Sequence, residues 1–284
     1  MQLNLWWEVV YLIKIDLHLH SNFSDGTLSP RELVHKAKKF GVSILSLTDH
    51  DTVSGVRDFM RECAKAGLSC IPGVELSADA PFELHILGYR IQIDKIDEHL
   101  KTIRDHRKER NMAMCEKLQG MGIHISMEEL EEEAGGDVIA RPHIARLMVK
   151  KGYVPDERTA FAWYLRRGGE AYVERKRFSP LECIKIIREA GGLPVLAHPV
   201  LMGLDEKREI ELVEQLVDEG LWGIECFAAC QTWEQMNKWS QIADRYGLYK
   251  TAGSDFHDGL RPGRKLGMGV PADLLPWSRL GARL

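Results

Sequence analysis

Short apolar runs alternate with amphipathic helical stretches along most of this 284-residue chain, and no other feature restricts its fold as much. Tyr11–Leu19, Val42–Leu47, Leu68–Val74 and Glu83–Tyr89 read as strands, and so do Leu193–Ala197, Gly223–Cys226 and Tyr249–Ala252. Strands separated by helices pair mainly in parallel, because a helical crossover returns the chain to the same end of the sheet. Helix punctuation agrees. Ser29, Pro30 and Glu32 make a capping box that opens a helix reaching Phe40, with Gly41 closing it. A second helix covers Val53–Ala66 and stops at Gly67. Three more, around Pro180–Glu189, Asp205–Glu219 and Thr232–Tyr246, end near Gly191, Gly220 and Gly247. Seven strands in this rhythm predict an α/β fold that closes like a barrel rather than lying open.

The rhythm breaks once. From about 94 to 178 the patterns are helical and no strand is evident. Ile96–Leu118 is long and basic, and Ser126 with Glu129 forms a capping box before an acidic helix start. The expected organisation is therefore a barrel in two parts, 1–93 and 179–284, with a helical insertion at 94–178 that covers the site. The length suits one domain carrying an insertion.

Composition narrows the partners. A net charge of -4 is wrong for a sleeve around long duplex nucleic acid, so any polyanion must be held locally. The six cysteines form no CxxC pair, which suits reduced thiols in a cytoplasm. Met1–Ile13 is apolar but contains Glu8 and lacks a basic start and a cleavage site, so no signal peptide is expected. No apolar run is long enough for a membrane span.

The chemistry lies in the histidines. Seven of the eleven, His18, His20, His50, His85, His143, His198 and His257, fall at or just past strand ends or in tight local motifs. Asp25, Asp49, Glu75 and Asp255 fall in the same places, and parallel α/β folds assemble their sites at that rim. In Asp16-Leu17-His18-Leu19-His20 the two imidazoles share one face of a strand. Thr48-Asp49-His50-Asp51, Pro72-Gly73-Val74-Glu75, Ala197-His198-Pro199 and Gly253-Ser254-Asp255-Phe256-His257 each end a strand, and Arg141-Pro142-His143 opens a helix. Any one of these motifs alone suits a surface turn or a satisfied core residue. Independent surface residues would not crowd one rim, so the conjunction favours a site. Nitrogen and carboxylate donors suit manganese, iron or zinc better than calcium. They are too numerous for one ion, and Glu75 can bridge, so a cluster of two or three metals is expected. Arg141 and Arg146, at the start of a helix and one turn into it, are candidate phosphate clamps. His35, His99, His106 and His124, and the run Arg175-Lys176-Arg177, read as surface.

Taken together, these motifs resemble the polymerase and histidinol phosphatase (PHP) superfamily. The matching segments are DLHLHS (16–21) with Asp25, TDHD (48–51), PGVE (72–75), His85, His143, AHP (197–199) and GSDFH (253–257). RPHIAR (141–146), GGEAYV (168–173) and AGGLPVLAHP (190–199) resemble the branch that includes ribonuclease AM and nucleoside 3′,5′-bisphosphate phosphatases. The resemblance implies a distorted seven-stranded (β/α) barrel holding three divalent transition metals: manganese first, with iron or zinc as alternatives. It implies one ion on His18, His20, Glu75 and Asp255, and a second on Glu75, His85 and His143. A third would sit on Asp25, His50 and either His257 or His198. Asp255, His198 and Arg141 become the catalytic candidates, and Arg141, Arg146 and His198 the substrate contacts. The implied activity is hydrolysis of small nucleotides or short oligonucleotides by a metal-activated hydroxide. Two other readings stand beside it. One is a histidinol-phosphate phosphatase or another small phosphomonoesterase. The other is a non-enzymatic metal-binding regulatory domain, which the full ligand set disfavours.

Overall fold

The computed structural model describes residues 11–135, 138–174, 176–258 and 263–282. All seven expected strands form: β1 (Leu12–Leu19), β2 (Ile44–Leu47), β3 (Ser69–Ser77), β4 (His85–Tyr89), β5 (Leu193–Leu196), β6 (Gly223–Ala228) and β7 (Tyr249–Gly253). An eighth, β8 (Met268–Pro271), had no sequence signal, because a four-residue run holding a glycine and a proline lacks strand character. The sheet runs β7-β6-β5-β4-β3-β2-β1-β8. It nearly closes on itself, since the end of β1 bridges the chain leaving β7 through Leu19 and Phe256, and the His20 amide donates to the Phe256 carbonyl at 3.1 Å. The expected barrel is therefore present, with β8 added antiparallel to β1.

Two departures from regularity set the site. β4 runs antiparallel to both β3 and β5, because a short loop joins it to β3 where a helical crossover was needed to keep direction. His85 therefore starts its strand instead of ending one, and it pairs in register with Ser77 at the far end of β3. The reversal brings it to the same rim as the other histidines. The second departure is a register shift between Asp16 and Leu19 in β1. Ile15 and Leu17 pack in a cluster with Ile44, Ile71, Leu87, Val195 and Ala252, drawn from strands all round the barrel, which makes it the barrel interior. Leu19 packs in the other cluster, with Leu33, Phe59, Ile187 and Trp239 of the surrounding helices. The bulge exchanges the faces between these leucines, so His18 and His20 point inward over the apolar floor.

The helices are α1 (Pro30–Lys39), α2 (Val56–Ala66), α3 (Ile93–Gly120), α4 (Met127–Ala134), α5 (Arg141–Lys150), α6 (Glu157–Ala160), α7 (Pro180–Glu189), α8 (Glu206–Asp218), α9 (Trp233–Arg245) and α10 (Trp277–Leu280). The capping boxes behave as read. The Ser29 hydroxyl accepts from the Glu32 amide at 3.3 Å while Glu32 accepts from the Ser29 amide at 2.9 Å, and Ser126 with Glu129 repeats the pattern. Helices α3 to α6 enclose a core of their own, including Met114, Leu118, Ile144, Met148 and Leu165. An ion pair between Arg107 of α3 and Asp51, both buried, fastens this unit to the turn that carries His50. Among the described residues no helix is long and apolar enough to cross a membrane.

Candidate metal centre

Three buried carboxylates shape the rim before any ligand is considered. Asp49 accepts from the Ser21 amide at 2.7 Å and from the Ser21 and Ser24 hydroxyls at 2.6 Å each. These bonds fold the loop after β1 back over the barrel, carrying Asp25 with it. Asp16 accepts from the Ser254 amide at 2.9 Å, the Ser254 hydroxyl at 2.5 Å and the Gly267 amide at 2.8 Å, which holds the exit of β7 bearing Asp255 and His257. Burial pushes both carboxyls up from the ordinary range, and these hydrogen bonds oppose the shift. Glu225 on β6, also buried, accepts from His18 Nδ1 at 3.0 Å.

Glu75 stands at the middle. Its Oε2 lies 3.2 Å from His18 Nε2, 3.2 Å from His20 Nε2 and 3.1 Å from His50 Nδ1. Its Oε1 lies 2.9 Å from both His85 Nδ1 and His198 Nε2. Burial would raise this carboxyl, but the imidazoles of His50, His18 and His85 override it and hold it well below its ordinary range. For His18, burial lowers the imidazole, and the carboxylates of Glu225 and Glu75 more than offset that, pushing it up to about 10.

The donor set fits metal ions on an observation internal to the chain. His18 Nε2, both nitrogens of His20, His50 Nδ1, Glu75 Oε2 and His198 Nδ1 are buried, yet none makes a hydrogen bond of acceptable geometry. Orphaned polar atoms cost about 1–3 kcal/mol each unless something satisfies them. Here they converge on one another, as donors around shared cations do. Three sets of side chains bring their donor atoms within 4.8 Å at the heart of the rim: His18, His20, Glu75 and Asp255; His20, Asp25, His50 and His257; and His50, Glu75 and His85. A fourth, Glu83, His85 and His198, lies at its edge.

The first set coincides with the four residues grouped from the sequence, and the second contains Asp25, His50 and His257. His143 enters none of the sets. It is the third residue of α5, and its Nδ1 accepts from the Ala140 amide at 3.0 Å, doing the work of a capping-box glutamate. Its helix start thus engages the ring nitrogen that motif reading could not see was needed there. His198 stands against Glu75 and His85, away from Asp25. Asp255 is also ion-paired with Arg264, which had no sequence signal. Glu225 was likewise missed, although a lone carboxylate inside the apolar strand GIECFA is a recognisable cue. His35, His99, His106 and His124 join none of these sets. Arg175 lies outside the described residues.

Packing around His18 leaves no slack. A Cβ added to Gly253 would come 2.3 Å from His18 Cβ and 2.6 Å from Glu225 Oε1. Gly253→Ala is expected to destabilise the protein by about 1–3 kcal/mol through overpacking and to lower its metal content. An unchanged denaturant midpoint with full metal content would contradict this.

A cleft of about 400 Å³ opens onto this rim. Asp25, His50 and His85 line one side, and Arg107, Arg110, Arg141, Arg167 and Arg177 line the rest with Phe82, Phe161 and Tyr172. The Arg141 guanidinium carbon sits 5.9 Å from the Phe161 ring centre and 5.7 Å from that of Tyr172, and its Nη1 donates to the Leu165 carbonyl at 3.1 Å. Arg146 is turned elsewhere: its Nε donates to Glu133 at 3.0 Å, and it does not line the cleft. The position one turn further along α5 faces the insertion's own acidic helix, which motif spacing does not reveal.

A β/α barrel with imidazole and carboxylate donors at its rim, opening onto an arginine-lined cleft, defines a metal-dependent hydrolase of phosphate esters. The PHP domain model matches residues 16–154. The chain is 34% identical to a 3′,5′-nucleoside bisphosphate phosphatase of Chromobacterium violaceum, over 96% of this chain and 98% of that one. It is 32% identical to the 5′-3′ exoribonuclease Rnm of Escherichia coli, over 96% of this chain and 90% of the relative. A crystal structure of a putative metal-dependent phosphoesterase from Bifidobacterium adolescentis superposes with a TM-score of 0.78 at 28% identity, covering 92% of this chain and 91% of that one. The chain belongs to the PHP domain family of metal-dependent phosphoesterases.

Proposed function

We propose that this enzyme removes a phosphate from nucleoside 3′,5′-bisphosphates or trims short oligonucleotides from the 5′ end, with three divalent transition ions, manganese foremost, as cofactors. The observation that carries the reading is the set of five arginines facing the donor-rich rim across one cleft. Arg107 and Arg167 also pair with Asp51 and Glu174, but a substrate with one anionic phosphate has no use for further guanidinium groups such as Arg110, Arg141 and Arg177 beyond the rim. A substrate with two phosphates uses both ends: one is hydrolysed at the rim and the other is held by arginine forks. The activities named for the Chromobacterium and Escherichia relatives fit this division.

The donor residues divide as three groups: His18, His20, Glu75 and Asp255; His50, Glu75 and His85; Asp25 and His257 with His20 and His50. Metal ions bound there supply positive charge to the phosphate oxygens and acidify water. Glu75 keeps the imidazoles in one orientation, and the buried His198 is the candidate to touch a phosphate held against Glu75 and His85. The insertion, 94–178, selects the substrate, and the two barrel segments, 1–93 and 179–284, supply the donors. A volume of about 400 Å³ suits one nucleotide and excludes a duplex.

A panel of phosphate esters, assayed with manganese after chelation, tests the reading. It should contain a nucleoside 3′,5′-bisphosphate, a short oligonucleotide, histidinol phosphate and an aryl phosphate. Preference for histidinol phosphate would overturn it. Arg141→Ala is expected to raise KM for the bisphosphate tenfold to hundredfold, the equivalent of about 1.5–3 kcal/mol for a charge-assisted contact. The aryl phosphate should hardly change. Equal effects on both substrates would make Arg141 a general support of the site instead of a second-phosphate contact.

A further inference from the structure

We propose that Glu225 is a positioning residue that fixes two donor histidines from different strands at once. The inference rests on the metal reading above and adds a residue to it. The Glu225 side chain is fully buried in β6. Its Oε1 accepts from His18 Nδ1 at 3.0 Å, and its Oε2 accepts from the backbone amide of His198 at 2.8 Å. One carboxylate thus ties the end of β1 to the turn after β5.

Both bonds are directional. A carboxylate only accepts, so the proton between it and His18 belongs on Nδ1. The nitrogen left for a metal ion to ligate, in exchange for its own proton, is Nε2, which faces Glu75 Oε2 at 3.2 Å and Asp255 Oδ1 at 3.6 Å. A metal-ligating imidazole needs this arrangement, with its second nitrogen donating to a fixed acceptor. The bond to His198 acts on the backbone. His198 has φ 22 and ψ 60, a conformation that a non-glycine residue holds only under restraint. The Glu225 oxygen holds that amide in place and so aims the ring at Glu75 and His85. Glutamine has the same shape but only one accepting oxygen. It cannot serve both donors, and its amide N–H would confront one of them.

The test uses the full chain. In the zinc-loaded protein, nitrogen-15 spectra of the histidine rings should show His18 protonated and hydrogen-bonded at Nδ1, with Nε2 ligating. Glu225→Gln should bind manganese about tenfold to hundredfold more weakly, by titration of free Mn²⁺, while keeping the far-ultraviolet circular dichroism of the folded wild type. His18 ligating through Nδ1 would overturn the proposal on the wild-type protein alone, whether or not the variant folds. So would wild-type manganese affinity in a folded Glu225→Gln protein. A wild-type protein that takes up neither ion would instead sink the metal reading on which this one stands.

Discussion

Glu75→Ala is expected to lower kcat/KM by at least about a thousandfold, roughly 4 kcal/mol of transition-state stabilisation, and by more than any single-histidine substitution. The reason is the number of groups that converge on one carboxylate. Glu75 Oε2 faces His18, His20 and His50 at 3.1–3.2 Å, and Oε1 faces His85 and His198 at 2.9 Å. In the proposed centre a carboxylate so placed, with both oxygens engaged, would serve more than one ion, whereas His18, His85 or His257 would serve one. Its loss would also leave four buried imidazoles, and the half-buried one of His85, without their shared anion. Metal content should therefore fall together with rate. Measuring both separates the explanations: His85→Ala should keep part of the metal and part of the activity. If Glu75→Ala retained its metal and lost no more rate than His85→Ala, Glu75 would not be a bridge.

Removal of metal is the second large effect. Protein purified without chelator should contain two to three equivalents of transition metal per chain, and chelation should abolish hydrolysis until manganese is restored. Stability should follow. A ligand at a hundred times its Kd stabilises by about 2.7 kcal/mol, so each such ion should raise Tm by on the order of 5–10 °C in a chain of this size. The unsatisfied nitrogens of His18, His20 and His50 give the physical basis, because the ions would supply the partners those atoms lack. Metal analysis near zero, with no manganese uptake and an unmoved Tm, would sink the multi-metal centre. The two predictions are linked, since Glu75→Ala should also blunt the Tm rise on adding manganese.

Much of this protein is local, and local features are legible in a chain of letters. Helix starts at Ser29 and Ser126 follow from side chains three residues apart. Stops at Gly67, Gly191, Gly220 and Gly247 follow from a left-handed φ at each. The pairing of His18 with His20, and of Asp255 with His257, follows from spacing within single motifs. The identity of the donors, nitrogen and carboxylate at strand ends, was enough to announce metals and a barrel rim.

Grouping those donors needed distances that no motif contains. His85 reached the rim because β4 runs backwards, and nothing within His85–Tyr89 encodes direction; the loop before it and the pairing to β3 do. The inward aim of His18 and His20 required a bulge whose existence depends on register with β2. His143 has the residue type of a ligand, but its ring nitrogen is engaged by the start of its own helix. Arg146 has the residue type of a clamp, and a glutamate thirteen residues earlier holds it. Glu225 lies 207 residues from His18 in sequence and 3.0 Å from it in space. Sequence fixes what each residue can donate or accept, because that is covalent chemistry. Which partner receives it is decided by strand direction, register and burial, because hydrogen bonds and metal coordination act only over about 2–3.5 Å, and only the folded chain brings atoms that close.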